Sequence, residues 1–276
     1  MAKAFVVKVP GINGLGKTKG CEGSGNAILK VLKEEIYTSE EGKTIDFNKI
    51  DLEEIHLDNS DLVKSGKLIY KNAFETYETK TKTIFLGGDH SVSYNLTRAF
   101  FDYCENLNPV KEPCLIVFDA HPDLMKPMKE PTHEEWLRKL IEDGFPPNNI
   151  LLVGIRNSYP DEFKYIKEKG IRVMDMNKIM LNIEDACDII MEFSSGKELY
   201  VSLDIDVVDP AAAPATGYRN EAGGLVSRQI IYLMQRINKI KNLRAVDIVE
   251  INEKLDNEKF GGQTIKLGAK ILGELV

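Results

Sequence analysis

The sequence predicts a single three-layer α/β/α domain over residues 1–276, with a mainly parallel central sheet. Short β-rich runs alternate along the chain with longer segments of helical period, and this alternation is typical of parallel sheets. Three of the runs are almost continuously apolar, as expected of central strands that helices cover on both faces. No linker-like stretch or internal repeat interrupts the pattern, so it favours one domain. Length alone would also allow two small domains.

From residue 83 onward the predicted strands and helices follow one another closely. The predicted strands are Thr83–Leu86, Cys114–Phe118, Ile150–Val153, Ile171–Met174, Leu199–Leu203 and Ala245–Val249. The predicted helices are Val92–Tyr103, His133–Asp143, Asp161–Lys169, Ile183–Phe193, Ser227–Ile240 and Thr264–Leu275. The first 80 residues are less informative. We expect a turn at residues 22–26, a helix near Ala27–Glu35, and further edge strands and helices.

Composition excludes several classes of partner. The net charge is -7 and no block of lysines or arginines is present, so neither nucleic acid nor an anionic membrane is an expected partner. No apolar stretch is long enough for a signal-peptide core or a membrane span, so a cytoplasmic location is expected. The four cysteines lie far apart without a Cys-x-x-Cys pair, and we expect reduced, mostly buried thiols.

Polar clusters follow the three most apolar strands. They span residues 87–91 (Gly-Gly-Asp-His-Ser), 119–123 (Asp-Ala-His-Pro-Asp) and 202–210 (Ser-Leu-Asp-Ile-Asp-Val-Val-Asp-Pro). Each alone is weak evidence, because Gly-Gly-Asp can form a turn and Asp-x-Asp can cap a helix. Ligands of open α/β sheets bind outside the carboxyl ends of the strands, where clusters from separate strands can converge. The three clusters are therefore candidates for one site.

Their chemistry indicates metal ions. Aspartates crowded at strand ends would repel one another, and a pair of divalent cations would neutralise them. Mixed imidazole and carboxylate ligands suit manganese, iron, nickel or zinc. In the segments 119–123 and 204–206, alternate side chains can point to one side, so one segment can serve two ions. The sequence therefore predicts a site for two divalent metal ions.

Together the three segments resemble the signatures of the ureohydrolase family, which includes arginase, agmatinase and formimidoylglutamase. The resemblance covers about residues 83–276 and extends to Gly223-Gly224-Leu225. It implies the arginase/deacetylase-like fold and a hydroxide, bridging two ions, that attacks the guanidinium carbon. Manganese is the usual metal, and trimers or hexamers are the usual assembly. The implied ligands are His90 and Asp123 for one ion, His121 and Asp206 for the other, and Asp119 and Asp204 as bridges.

The resemblance assigns two further residues. Glu250, at the end of a predicted strand, resembles the carboxylate that pairs with the substrate's cationic amidine or guanidinium group. His133 lies at the agmatinase-type position of a histidine that transfers protons to the leaving amine. Here the sequence departs from the family, because Glu134 replaces the usual glycine. The flanking residues also fit an ordinary helix start, with Thr132 as the cap and Glu135 as its capping-box partner.

The substrate stays open at this point. The segment Met125–Lys129 lacks the asparagine and serine pattern by which arginases hold arginine, so arginase activity is disfavoured. Its lysines could attract a substrate carboxylate, as in formimidoylglutamate, or could face water. The position of His133 favours an agmatinase-like substrate, that is, a small cationic guanidino or amidine compound. Agmatine, formimidoylglutamate and another linear amidine all remain candidates.

Two alternatives belong to other functional classes. The same metal centre could act on an amide, as in deacetylases that share the fold. Glu250 argues against this, because a carboxylate there favours a cationic group over a neutral acyl group. Alternatively, the chain could be a catalytically idle metal-binding or regulatory protein, a hypothesis that the complete ligand set disfavours. His56 lies outside every motif, and Asp209 is interpreted as a structural residue that shapes its loop.

Overall fold

A parallel eight-stranded sheet forms the centre of the computed structural model, which describes residues 4–218 and 221–276. The strands are β1 (Ala4–Val9), β2 (Ile50–Glu54), β3 (Thr83–Gly87), β4 (Pro113–Phe118), β5 (Ile150–Val153), β6 (Arg172–Met174), β7 (Glu198–Asp204) and β8 (Leu243–Val249). Their order is β2-β1-β3-β8-β7-β4-β5-β6. All the neighbouring pairs are parallel, so the carboxyl ends of all these strands lie along one edge of the sheet.

Helices connect the strands and cover both faces of the sheet. They are α1 (Ser24–Glu35), α2 (Leu62–Thr79), α3 (Val92–Asn106), α4 (Trp136–Glu142), α5 (Pro160–Lys169), α6 (Met176–Leu181), α7 (Ile183–Ser194), α8 (Ser227–Asn238), α9 (Glu253–Lys259) and α10 (Gln263–Leu275). Side-chain caps begin several of them; for example, the Asp61 side chain accepts a hydrogen bond from the backbone N–H of Lys64 at the start of α2. Within the described residues, no helix combines the length and apolar character that a membrane span requires.

The core is divided between the two faces because successive strand residues point in opposite directions. Ile84 and Leu86 of β3 pack in one apolar cluster, with helices α1, α7, α8 and α10. Phe85, between them, packs in the other cluster, with α2, α3, α4 and α5. This arrangement is the predicted three-layer α/β/α fold with a parallel sheet, and the fold prediction is confirmed.

The predicted elements agree best where strands are buried. Strand β5 has the predicted bounds, Ile150–Val153, and the other strands predicted after residue 83 differ only at their ends. Of the strands in the first 80 residues, β2 lies at the sheet edge as expected, whereas β1 is interior, between β2 and β3. All four cysteines are free and buried, as predicted.

Helix α4 begins later than predicted, at Trp136 in place of His133. The cause is a closed turn before it. The backbone N–H of Thr132 donates to Glu135 Oε1 at 3.1 Å, and the Thr132 hydroxyl donates to Glu135 Oε2. The predicted contact between Thr132 and Glu135 is therefore present, but His133 lies in the turn and is not part of the helix.

Candidate active site

Four neighbouring strands carry the predicted site residues at their carboxyl ends. His90 follows β3, Asp119 follows β4, Asp204 ends β7 and Glu250 follows β8. The order β3-β8-β7-β4 makes these strands consecutive in the sheet, and the register aligns Phe118 with Leu203. Parallel pairing therefore brings together three clusters that are far apart in sequence.

One group of donor atoms surrounds His90. Its Nδ1 lies 3.1 Å from Asp119 Oδ2, 3.0 Å from Asp123 Oδ2 and 3.3 Å from Asp204 Oδ2. The Asp123 backbone has φ of 53°, a left-handed conformation that non-glycine residues rarely adopt. All four side chains are buried or nearly so. A single ring nitrogen can donate only one hydrogen bond, so three carboxylates around it exceed what the imidazole alone can pair.

Contacts behind this group fix its orientation. His90 Nε2 lies 2.9 Å from Ser202 Oγ, whose hydroxyl donates to Asp247 Oδ1 at 2.7 Å. The indole N–H of Trp136, the first residue of α4, donates to Asp123 Oδ2 at 2.8 Å. Because Nε2 is engaged by Ser202, the opposite ring nitrogen of His90 is directed at the carboxylates.

A second group surrounds His121. Its Nδ1 lies 2.9 Å from Asp206 Oδ2 and 3.5 Å from Asp119 Oδ1. Asp119 therefore faces both histidines, with Oδ2 toward His90 and Oδ1 toward His121. Asp204 has its ligand atoms close to those of the His90 group, and its Oδ1 accepts a hydrogen bond from the backbone N–H of Asp206 at 2.8 Å. All six predicted metal ligands thus converge, and Asp119 joins the two groups.

The charges of the two groups favour bound cations. Burial and the nearby Asp119 raise the pKa of Asp123 to about 8. Burial, with Asp206 and Asp119 close by, raises the pKa of Asp204 well above its usual value. Burial would raise the pKa of Asp119 as well, but its contacts with His121 and His90 outweigh that effect and lower this pKa. Such crowding of buried carboxyl groups is costly without a compensating positive charge.

Two unpaired atoms supply a direct test of whether metal ions fit. Among the described residues, His90 Nδ1 and Asp119 Oδ2 are buried without a hydrogen-bond partner, although they lie 3.1 Å apart. Native structures rarely leave such atoms unsatisfied. Imidazole nitrogen and carboxylate oxygen are suitable ligands for divalent transition metals. The donor set at both histidines therefore fits metal ions.

Glu250 is held rigidly beside the His90 group. Its backbone has φ of 65°, and its Oε1 accepts a hydrogen bond from the backbone N–H of His90 at 2.8 Å. Its Oε2 is buried and has no hydrogen-bond partner within residues 4–218 and 221–276. A β-carbon added at Gly217 would lie 1.5 Å from that oxygen, so any larger residue there would displace the Glu250 carboxylate. Burial, with Asp204 and Asp89 nearby, raises the pKa of Glu250 well above its usual value.

His133 lies against Glu250 despite being distant from the metal-ligand motifs. Its Nδ1 is 3.6 Å from Glu250 Oε1, and its ring stacks on Tyr218 with centroids 5.6 Å apart. Burial lowers the pKa of His133, which favours the neutral imidazole. Its Nδ1 has no hydrogen-bond partner in the part of the chain that the structure describes. The imidazole is therefore positioned at the predicted site and is not a solvated helix-start residue.

A partly open cleft leads to these residues. His133 and Glu250 line it together with four of the predicted metal ligands. The other lining residues are Met125, Glu134, Asn157, Ser158, Tyr159, Glu162, Thr216 and Tyr218. Lys126 and Lys129 are exposed and are not among the lining residues. Within the described residues, neither lysine therefore places its positive charge in the lining of the cleft.

The residues excluded from the site behave as interpreted. The His56 side chain is 89% exposed. Asp209 shapes its loop, because its Oδ1 accepts from the backbone N–H of Ala211 at 2.9 Å and its Oδ2 from that of Gly223 at 2.7 Å.

Sequence reasoning missed two carboxylates. Glu221 Oε2 lies 2.9 Å from His121 Nε2, and its Oε1 accepts a hydrogen bond from Asn157 at 2.6 Å. No motif marks Glu221. Asp89 could have been found from its place beside His90. Its Oδ2 accepts hydrogen bonds from the backbone N–H of Asn13 at 2.6 Å and from the Thr18 hydroxyl at 2.7 Å. Asp89 thereby holds the loop of residues 10–20 against the site.

Comparison with known proteins identifies a common family. The model of the arginase family matches residues 2–276. An arginase from Staphylococcus aureus (strain MRSA252) is 28% identical over 250 residues, covering 83% of this chain and 80% of the relative. An agmatinase from Bacillus subtilis (strain 168) is 29% identical over 234 residues, covering 84% and 75%. A guanidinopropionase from Pseudomonas aeruginosa is 31% identical over 233 residues, covering 82% and 70%.

A solved structure agrees with these relatives. The proclavaminate amidino hydrolase from Streptomyces clavuligerus superposes with a TM-score of 0.85 at 26% identity, covering 99% of this chain and 90% of that one. The relatives carry names of different activities at nearly equal identity, so similarity alone does not select a substrate.

Proposed function

Since the chain belongs to the arginase family of hydrolases that act on C–N bonds of linear amidines, we propose that it uses two divalent metal ions to hydrolyse a small cationic guanidino or amidine compound. The observation that carries the proposal is the arrangement of Asp119 between His90 and His121, with Glu250 beside them. We propose an agmatinase-like substrate in preference to arginine, and manganese as the metal, with nickel, iron or zinc as alternatives.

Each ion has a proposed set of ligands. His90 and Asp123 would hold one ion, His121 and Asp206 the other, and Asp119 and Asp204 would be shared by both. When bound, such ions lower the pKa of water enough to supply a nucleophile at neutral pH. The protein contributes by fixing the ligands at strand ends and by keeping the buried carboxylates close together.

Glu250 is proposed to bind and orient the amidine or guanidinium group. Its Oε2 lies against Gly217 and, within the described residues, has no hydrogen-bond partner. A carboxylate in a fixed position pairs well with a planar cation. The buried, acidic surroundings disfavour a charged Glu250 on its own, so a cationic ligand would stabilise its ionised form.

The first test replaces Glu250 with glutamine. Glu250→Gln preserves shape while removing charge, and truncation of a buried charged pair costs on the order of a hundredfold in affinity. We expect kcat/KM for guanidino compounds, followed by urea release, to fall by about that factor. Metal content from elemental analysis and the melting temperature serve as controls and should not change. A normal kcat/KM would mean that the substrate is not bound through Glu250.

His133 is proposed to protonate the leaving amine. Hydrolysis joins the water oxygen to the amidine carbon and breaks the C–N bond, so the departing nitrogen needs a proton. The imidazole of His133 is buried beside Glu250 and can carry that proton from the attacking water to the amine. Its stacking on Tyr218 holds the ring in place.

Substitution of His133 tests this role. Because general acid catalysis contributes about a hundred- to ten-thousand-fold, His133→Asn should slow kcat by at least about tenfold while both metal ions stay bound. Added imidazole should partly restore the rate by carrying the same proton. Near-normal turnover in the variant would reduce His133 to a structural residue of the turn before α4.

A further inference from the structure

Three side chains meet at the mouth of the cleft. The ammonium of Lys17 lies 4.3 Å from the centroid of the Tyr218 ring and 3.7 Å from Glu134 Oε1. Tyr218 and Glu134 line the cleft. We propose that Glu134 and the face of Tyr218 form a seat for a primary ammonium at the far end of the substrate, and that they select amine-tailed guanidino compounds. This inference rests on the proposed function.

The position of Lys17 indicates that the seat binds a cation. An aromatic face and a carboxylate together are a recognition set for a cation, because the ring quadrupole and the negative charge both attract it. The Lys17 side chain is 41% exposed and that of Glu134 is 36% exposed. An ion pair with this exposure is weak, since water and salt screen it. A substrate ammonium can therefore displace the Lys17 ammonium from the seat.

The seat lies at a useful distance from the amidine site. His133 separates the two carboxylates, with Nδ1 3.6 Å from Glu250 Oε1 and Nε2 3.9 Å from Glu134 Oε1. The carboxylates of Glu250 and Glu134 thus lie near opposite nitrogens of the His133 ring. A short chain of about three to five carbons spans such a gap when its two cationic ends pair with the two carboxylates. The distance between the two carboxylates therefore selects the length of the substrate in addition to its charge.

The charge of the cleft supports an ammonium over a carboxylate. Among its described lining residues there is no lysine or arginine. Lys17 lies on the loop of residues 10–20, which Asp89 holds through the backbone N–H of Asn13 and the Thr18 hydroxyl. A carboxylate at the far end of the substrate would be repelled by Glu134, whereas an ammonium there would form an ion pair with it. Lys17 then acts as a competitor for the seat, so its removal should favour amine-tailed substrates.

Three guanidino compounds of similar length separate the possibilities. Agmatine has an ammonium tail, pentylguanidine a methyl group in the same place, and 4-guanidinobutyrate a carboxylate. We expect Glu134→Gln to lower the ratio of kcat/KM for agmatine over pentylguanidine by a few-fold, through KM, because a partly exposed cation–carboxylate contact is lost. Lys17→Met should raise the same ratio by a few-fold. Glu130→Gln, outside the cleft lining, and Lys129→Met are the matched charge controls, and neither should change the ratio.

A binding measurement makes the test independent of turnover. Calorimetric titration of metal-free protein with agmatine and with pentylguanidine should show the same loss of preference in Glu134→Gln. An unchanged preference in that variant overturns the seat. A preference for 4-guanidinobutyrate that is lost in Lys17→Met would also overturn the proposed seat, because Lys17 would then bind the carboxylate of the substrate. If no guanidino compound is hydrolysed by the metal-loaded protein, the proposed function fails, while the calorimetric preference still decides the seat.

Discussion

The two histidines of the candidate metal centre are supported in different ways. The ring of His90 is 1% exposed, and its Nε2 contacts Ser202 within strand β7. The ring of His121 is 24% exposed, and its Nε2 contacts Glu221, which lies in the loop between β7 and α8. Ser202 is fully buried and hydrogen-bonded to Asp247, whereas the Glu221 side chain is 28% exposed. One half of the centre is therefore built on the sheet and the other depends on a loop.

This difference has a thermodynamic consequence. A ligand held by buried strand residues is already in its binding geometry, so little ordering is needed when an ion binds. A ligand held by a partly exposed loop residue must first be ordered when its ion binds. We expect the His90 half to bind its ion more tightly and the His121 half to exchange its ion more readily. The halves are linked through Asp119, which faces both histidines.

The largest effect is expected from a substitution that disrupts both halves of the metal centre. Asp119→Asn removes the carboxylate shared by the two groups, so the variant should lose both ions and with them nearly all activity. Asp206→Asn removes a carboxylate that, of the two histidines, contacts His121 alone, and the variant should retain about one ion per chain. Elemental analysis after gel filtration gives the two stoichiometries. Equal metal content in the two variants would contradict the distinction between a shared and a single-site ligand.

The same contrast explains what could be predicted from the sequence. Metal ligands follow apolar strands directly, so short motifs mark them and parallel pairing brings them together. His90, Asp119 and Asp204 could therefore be named from local pattern. Glu221 could not, since none of the quoted motifs contains it and its contact with His121 depends on how the loop between β7 and α8 folds. The seat at the cleft mouth was likewise not predictable, because Lys17, Glu134 and Tyr218 meet only in three dimensions.

The start of α4 illustrates a second limit. The residues 132–135 have the composition of a capped helix start, and the local pattern predicts a helix from His133. In the folded chain His133 packs against Tyr218 and Glu250, and the helix begins only at Trp136. Tertiary contacts at the site thus override local helix propensity, as expected where a functional side chain must be aimed.

The smallest effects are expected from substitution of the residues that contact Nε2 of each metal-binding histidine, Ser202 and Glu221. Residues that hold the second nitrogen of a metal-binding imidazole typically contribute about 10- to 100-fold in metal affinity. Ser202→Ala also leaves the Asp247 carboxylate short of a buried hydrogen bond, so its effect should fall in the upper part of that range. The Glu221 side chain is 28% exposed, and Glu221→Gln keeps an amide oxygen that can still accept a hydrogen bond from His121 Nε2.

Glu221→Gln should therefore weaken only the His121 half, by about tenfold or less. Titration of metal-free protein with Mn(II), followed by calorimetry, resolves two affinities if the halves differ. In Ser202→Ala the tighter one should weaken, and in Glu221→Gln the weaker one. Glu184→Gln, a change at an exposed glutamate in α7, controls for the loss of one negative charge. If Glu221→Gln weakened the tighter affinity, the exposed half would be the tighter one, and the contrast between sheet and loop support would be reversed.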